Sequence, residues 1–175
     1  MIASAFMRCG APVIYMRYVI AGIMMMIARN AEYGDILNAV KGRNVAVWAC
    51  NTCARMCNGV GGQQAGDRLA GKLKEDGVEV SASLSTSAAC LMSKVTPKAD
   101  MMRNADVVIV LACDIGVTCA AKAFGKDALA PLATLGSGFV DNDGTLVVTS
   151  CPSANIPATL DAVAEEKGMS TAPLV

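Results

Sequence analysis

Three cysteines that close a short apolar run constrain this chain more than any other feature. Residues 45–57 read V-A-V-W-A-C-N-T-C-A-R-M-C, so Cys50, Cys53 and Cys57 follow a segment typical of a buried strand. The short spacings between them allow a tight loop to bring the three sulfurs toward one point. Thiolates gathered in this way are soft ligands that suit an iron–sulfur cluster or zinc.

The absence of histidine limits the kinds of catalytic and metal sites that this chain can form. The 175-residue sequence contains eight cysteines and no histidine, which excludes Ser-His-Asp triads, Cys-His dyads and histidine ligands. Formal net charge is zero and no basic block occurs, so nucleic-acid binding is not expected. A chain of this length buries a core without disulfide staples. The clustered spacing therefore favours metal or redox chemistry in a cytoplasmic, reducing compartment over disulfides or unrelated buried thiols.

Residues 1–28 are predicted to be an apolar leader, separate from a single domain at 29–175. Arg17 interrupts the apolar run, which leaves fewer than the ~20 uninterrupted apolar residues that a membrane-spanning helix needs. The leader also fits a secretory signal poorly. Two interpretations stay open: a packed or interfacial helix, or a translation start at Met24, Met25 or Met26, which we favour.

Alternating strand and helix patterns predict an α/β fold. The predicted strands lie at residues 45–49, 78–84, 107–111, 129–135 and 146–148. The predicted helices lie at 31–40, 65–77, 96–104, 116–124 and after residue 155. We therefore expect an open, mostly parallel sheet of about five strands with helices on both faces, as in flavodoxin-like and Rossmann-like folds.

The cysteines recur at one position of this predicted topology. Cys50, Cys113 and Cys151 lie at or just after the ends of predicted strands, and Cys90 lies in the loop after the second strand. Binding sites in open α/β sheets form outside the carboxyl ends of the strands. Four to six thiols are therefore expected to meet at one edge of the sheet.

A four-iron cluster needs four thiolates, of which one loop often supplies three. The loop at residues 50–57 would supply them, and Cys113, or else Cys90, would supply the fourth. Cys119 lies inside a predicted helix and is interpreted as a small buried residue, while Cys9 lies in the leader. Zinc stays open as an alternative, because four thiolates suit a structural zinc site equally well.

Other cofactor motifs are missing or incomplete. The glycines at residues 59–62 follow the cysteine loop instead of leaving a strand directly, and no acidic residue ends the strand at 78–84, so NAD binding is not expected. Cys50 and Cys53 also form a C-x-x-C pair, which permits a dithiol oxidoreductase as a third hypothesis. The second hypothesis is a structural zinc module that assembles a larger complex.

Several segments resemble the C-terminal domain family of methylenetetrahydrofolate reductase. The resemblance runs over residues 28–149 and rests on the cysteine motif with its following G-G-Q-Q, on A-D-V-V-I-V-L-A-C-D-I-G-V at 105–117, and on P-L-A-T-L-G at 131–136. It implies the small iron–sulfur partner subunit of the reductase in anaerobic bacteria. The family's cysteines match Cys50, Cys53, Cys57, Cys90 and Cys113.

The resemblance also implies what this chain leaves to others. The sequence lacks the flavin-bearing reductase barrel, so it cannot reduce the folate alone and needs a flavoprotein subunit or another redox partner. We therefore expect a cytoplasmic accessory subunit with a [4Fe-4S] cluster that transfers electrons in anaerobic one-carbon metabolism and makes no bonds itself.

Overall fold

Two four-stranded sheets organise the residues that the computed structural model describes, which are 25–30, 32–150 and 158–159. The strands are β1 Met25–Asn30, β2 Asn44–Cys50, β3 Glu79–Thr86, β4 Val107–Leu111, β5 Asp127–Leu129, β6 Leu132–Val140, β7 Leu146–Ser150 and β8 Ala158–Thr159. The helices are α1 Tyr33–Val40, α2 Cys53–Met56, α3 Gly62–Glu75, α4 Met92–Val95 and α5 Asp114–Phe124, with a 3-10 helix at Thr96–Met102. None of the helices in that part of the chain combines the length and apolar character that crossing a membrane requires.

The first sheet is parallel and has the strand order β3-β2-β4-β5. Its central strands β2 and β4 are apolar, and all of their residues from Val45 and from Val107 onward are buried. The chain crosses from β2 through α3 to β3 on one side, and then returns to place β4 on the other side of β2. The carboxyl ends of β2 and β4 therefore flank the point where the strand order reverses, which is where open α/β sheets form their binding crevices.

Helices cover both faces of this sheet. The face that carries Val47 and Ala49 packs against α3, because a Cβ added at Gly66 would lie 3.5 Å from both side chains. Side chains alternate between the faces of a strand, so Trp48 lies on the other face. There its ring packs edge-on against Phe124 of α5, with 5.2 Å between the ring centroids. Leu69 and Leu73 supply the buried stripe of α3.

The second sheet is antiparallel and has the order β1-β6-β7-β8. It lies beside the carboxyl edge of the parallel sheet, since β1 contacts α2 and β6 contacts α5. The backbone N–H of Asp114 at the start of α5 donates to Thr134 Oγ1 of β6 at 2.9 Å. The antiparallel sheet thus contacts α2 and α5, the two helices that follow the cysteine-bearing ends of β2 and β4.

The predicted α/β class and the helices on both faces are confirmed, with four strands in the parallel sheet. The weak strand predicted at 129–135, with a break at Pro131, proves to be two strands: residues Ala130 and Pro131 separate β5 from β6, which belong to different sheets. A helix over the end of the leader is also wrong, because Met25–Asn30 pairs with β6 as a strand. The predicted division at residue 28 stays a prediction. The helix predicted after Asn155 is wrong at Ala158–Thr159, which pair with β7 as a strand, and the rest of it falls outside the described residues.

Candidate metal centre

The first cysteine loop begins where β2 leaves the sheet. Cys50 is the last residue of β2 and is 5% exposed. It follows Trp48 by two residues, so it shares the face that carries α5. Cys53 opens the short helix α2 and is half-buried, while Cys57 follows that helix and is fully buried.

Cys113 lies across the crevice at the end of β4. It precedes α5 at the N-cap position and is 7% exposed. Burial is the strongest influence on the pKa of Cys113 and raises it, as do the thiols of Cys53 and Cys50. The backbone N–H groups of Gly116 and Ile115 lower it, although neither makes a full capping hydrogen bond. The helix N-terminus therefore favours the thiolate that a metal would need.

Cys90 reaches the same crevice from the loop after β3. It is the exposed member of the group, yet partial burial is the main influence that raises its pKa, and its own backbone N–H opposes this. The thiols of Cys50, Cys53 and Cys119 raise it further. Two hydrogen bonds join the segments that carry the thiols: Thr52, after β2, donates to Ser87 of the loop after β3, and Cys119 of α5, after β4, donates to Cys90.

The chemistry of this group fits a thiophilic metal or cluster, because all of its members are thiols and no histidine competes. In their present positions, however, no three cysteine or acidic side chains of the described residues stand close enough together to hold a metal ion. Binding would therefore require some thiols to move inward.

Thr52 connects the loop after β2 with the loop after β3 that carries Cys90. Its hydroxyl donates to the backbone carbonyl of Ser87 and lies 3.3 Å from the Cys50 sulfur. A hydroxyl carries one proton, so the S–H of Cys50 is the donor in that second contact. Nothing in the sequence singles out Thr52 beyond its place between two cysteines.

Cys119 lies inside α5, as the sequence predicts. It is half-buried on α5 and donates its S–H to the carbonyl oxygen of Cys90 at 3.5 Å. Its position on a helix correctly predicted local structure but not proximity to the site. The sequence signal for this proximity is Gly116, three residues before Cys119, because a glycine inside a helix often permits close approach of another segment.

The positions of the predicted ligands can now be stated. Cys50, Cys53, Cys90 and Cys113 lie at or just after the carboxyl ends of β2, β3 and β4, and their role as ligands stays a prediction. Cys57 lies in the same loop, packed within the core cluster. Cys9 and Cys151 lie outside the described residues.

A second concavity lies on the opposite face of the same edge. This cavity of about 510 Å³ is lined by the start of α3, by Asn51 and by the arginines Arg55 and Arg68. Asn51 shapes it by accepting a hydrogen bond from the backbone N–H of Gln63 at 3.0 Å and donating to Ser85 at 2.8 Å. The cavity contains no cysteine, so it is separate from the thiol group.

Comparisons of the chain with family models, with curated proteins and with solved structures returned no match. The resemblance to the C-terminal domain family of methylenetetrahydrofolate reductase therefore stays a prediction.

Proposed function

We propose that this chain is an iron–sulfur-binding accessory subunit that relays electrons to or from a flavoprotein. The observation that carries the proposal is that Cys50, Cys53, Cys90 and Cys113 all lie at or just after the carboxyl ends of parallel strands, around the point where the strand order reverses. Thiolates from short loops are the usual ligands of such clusters. A cytoplasmic location and a partner of the methylenetetrahydrofolate reductase type in anaerobic one-carbon metabolism rest on cysteine usage and on the resemblance.

These four thiols would hold the cluster, and Cys57 remains a candidate because of its spacing. When bound, the cluster would supply one-electron transfer, and its potential would depend on hydrogen bonds to sulfur and on solvent exposure. The chain's own residues fix the ligands: β2 and β4 are rigid buried strands, and the amides at the start of α5 face the Cys113 sulfur.

The test is the content of iron, sulfide and zinc, with a visible spectrum, in protein purified without oxygen. A brown protein with about four irons and four sulfides per chain would support the proposal. A colourless protein with one tightly bound zinc would contradict it and favour a structural zinc module that assembles a complex. Metal-free protein that turns over a disulfide substrate would instead favour the dithiol oxidoreductase.

Single substitutions then identify the ligands. We expect Cys113→Ser and Cys90→Ser each to lower cluster content and to change the visible spectrum, because serine is a poor ligand for this metal. Cys119→Ser is the matched control, as it changes a thiol at the same edge that is not among the four. Equal losses in all three variants would contradict the proposed ligand set.

A further inference from the structure

The loop that carries Cys90 is fastened to the rest of the site at three points. At its start, the carbonyl of Ser87 accepts the hydroxyl of Thr52. In its middle, Ala89 is 1% exposed and packs against Gly116 of α5, where an added Cβ would lie 3.0 Å from the Ala89 Cβ. At its exposed end, the carbonyl of Cys90 accepts the S–H of Cys119.

Cys119 is poorly placed to share a metal with Cys113. The two residues are six positions apart on or beside α5, which separates them by about 9 Å along the helix and turns them to different faces. The hydrogen bond of Cys119 also goes to the backbone of Cys90 and not to a sulfur. These features indicate that Cys119 supports a ligand residue and is not itself a ligand.

We propose that Cys119 is a positioning residue of the site, which holds the Cys90 loop on α5 and so keeps the Cys90 thiol at the carboxyl edge of the parallel sheet. This inference rests on the proposed function for its meaning, because Cys90 is there a metal ligand. Residues that orient a ligand through a hydrogen bond contribute strongly to metal affinity without touching the metal. Since S–H is a weak donor, loss of the contact loosens the Cys90 end of the loop and leaves its other two attachments and the rest of the fold intact.

Three variants separate this role from the alternatives. Cys119→Ser keeps a donor but offers a poor metal ligand, Cys119→Ala removes the donor, and Cys119→Val replaces the volume without a donor. Thr118→Val is the matched control. It removes a hydroxyl donor from the same helix, and this donor bonds to the carbonyl oxygen of Asp114 and not to the loop.

The first measurement needs no metal. Hydrogen exchange of the amides at residues 87–92 is followed in reduced, metal-free protein. We expect exchange to rise several-fold in Cys119→Ala and Cys119→Val, and to stay near the original rate in Cys119→Ser and Thr118→Val. Unchanged exchange in the alanine and valine variants would overturn the inference, whatever the protein binds.

The second measurement follows the release of metal to a chelator after anaerobic loading with iron and sulfide. We expect release to be at least about tenfold faster in Cys119→Ala, as for other residues that orient ligands, and close to normal in Cys119→Ser. Equal loss and an altered spectrum in both variants would identify Cys119 as a ligand and refute the positioning role. Protein that loads no cluster would refute the proposed function, while the exchange data would still decide the role of Cys119.

Discussion

Replacing Gly116 by alanine tests whether α5 and the Cys90 loop are packed as closely as the structure indicates. The added Cβ would lie 2.7 Å from the Ala112 Cβ and 3.0 Å from the Ala89 Cβ, whereas carbon atoms prefer about 3.5–4.0 Å. Both neighbours are buried alanines, which have no alternative rotamer to adopt. Overpacking of this kind costs about 1–3 kcal/mol, because the helix or the loop must shift.

Alanine also gains about 0.5–1 kcal/mol over glycine inside a helix, and this gain has to be removed from the comparison. Gly71 in α3 provides the control, since an added Cβ there meets nothing within 4 Å. We expect Gly71→Ala to stabilise the protein by that amount, and Gly116→Ala to be less stable than Gly71→Ala by about 1–3 kcal/mol.

Urea unfolding provides the assay, because Trp48 is the single tryptophan and is fully buried between the sheet and α5. Its fluorescence therefore reports on the packing that the substitution disturbs. Equal free energies of unfolding for Gly116→Ala and Gly71→Ala would refute the close contact between α5 and the loop. They would also weaken the positioning role of Cys119, which depends on that contact.

Three further predictions concern the rest of the described fold. Burial and a hydrogen bond to a carboxylate raise the pKa of Tyr33 above its ordinary value of about 10. The folded state thus favours the protonated phenol. The stabilising contribution of Tyr33 is therefore complete below about pH 10 and is lost as the pH rises further. Tyr33→Phe should flatten this alkaline decline in the free energy of unfolding, and an unchanged decline would contradict the assignment. Leu69→Ala should cost about 2–5 kcal/mol in urea unfolding because Leu69 is fully buried, whereas the exposed Leu91→Ala should change stability by about 0.5 kcal/mol or less. Gly138→Ala would place a Cβ in a steric clash with the carbonyl oxygen of Val147, so hydrogen exchange should rise in β6 and β7 more than in β4; a uniform rise would show that the two sheets unfold together.

The parallel sheet could be predicted because its determinants are local. Strand β4 has the bounds 107–111 that its five apolar residues predicted, and α5 ends at Gly125, which adopts the left-handed conformation that stops a helix. β3 is half-exposed, as its alternating pattern and edge position require. In each case the periodicity of burial is written in consecutive residues.

The antiparallel sheet could not be predicted, because its pairing is not local. Ile27 pairs with Gly136, more than one hundred residues later, and nothing in either segment selects the other. β6 also contains glycines at 136 and 138, which lower its strand propensity. The apolar run near residue 25 was compatible with a helix until its partner strand was known.

The candidate site shows the same division. The placement of Cys50, Cys90 and Cys113 followed from one rule, that sites form at the carboxyl ends of parallel strands. The supporting contacts of Thr52 and Cys119 did not follow, because they join loops through backbone carbonyls, which no side-chain pattern reveals.

The two sheets meet at the cysteines, and this junction explains why the site does not depend on the parallel sheet alone. β1 lies against α2, which begins with Cys53, and β6 binds the first amide of α5 through Thr134, directly after Cys113. A parallel sheet fixes only the strand ends from which these segments depart. The orientation of the segments themselves needs a second support, and the antiparallel sheet supplies it on both sides of the crevice. Loosening β6, as in Gly138→Ala, should therefore disturb the spacing of thiols on two different loops, although none of the described cysteines belongs to that sheet.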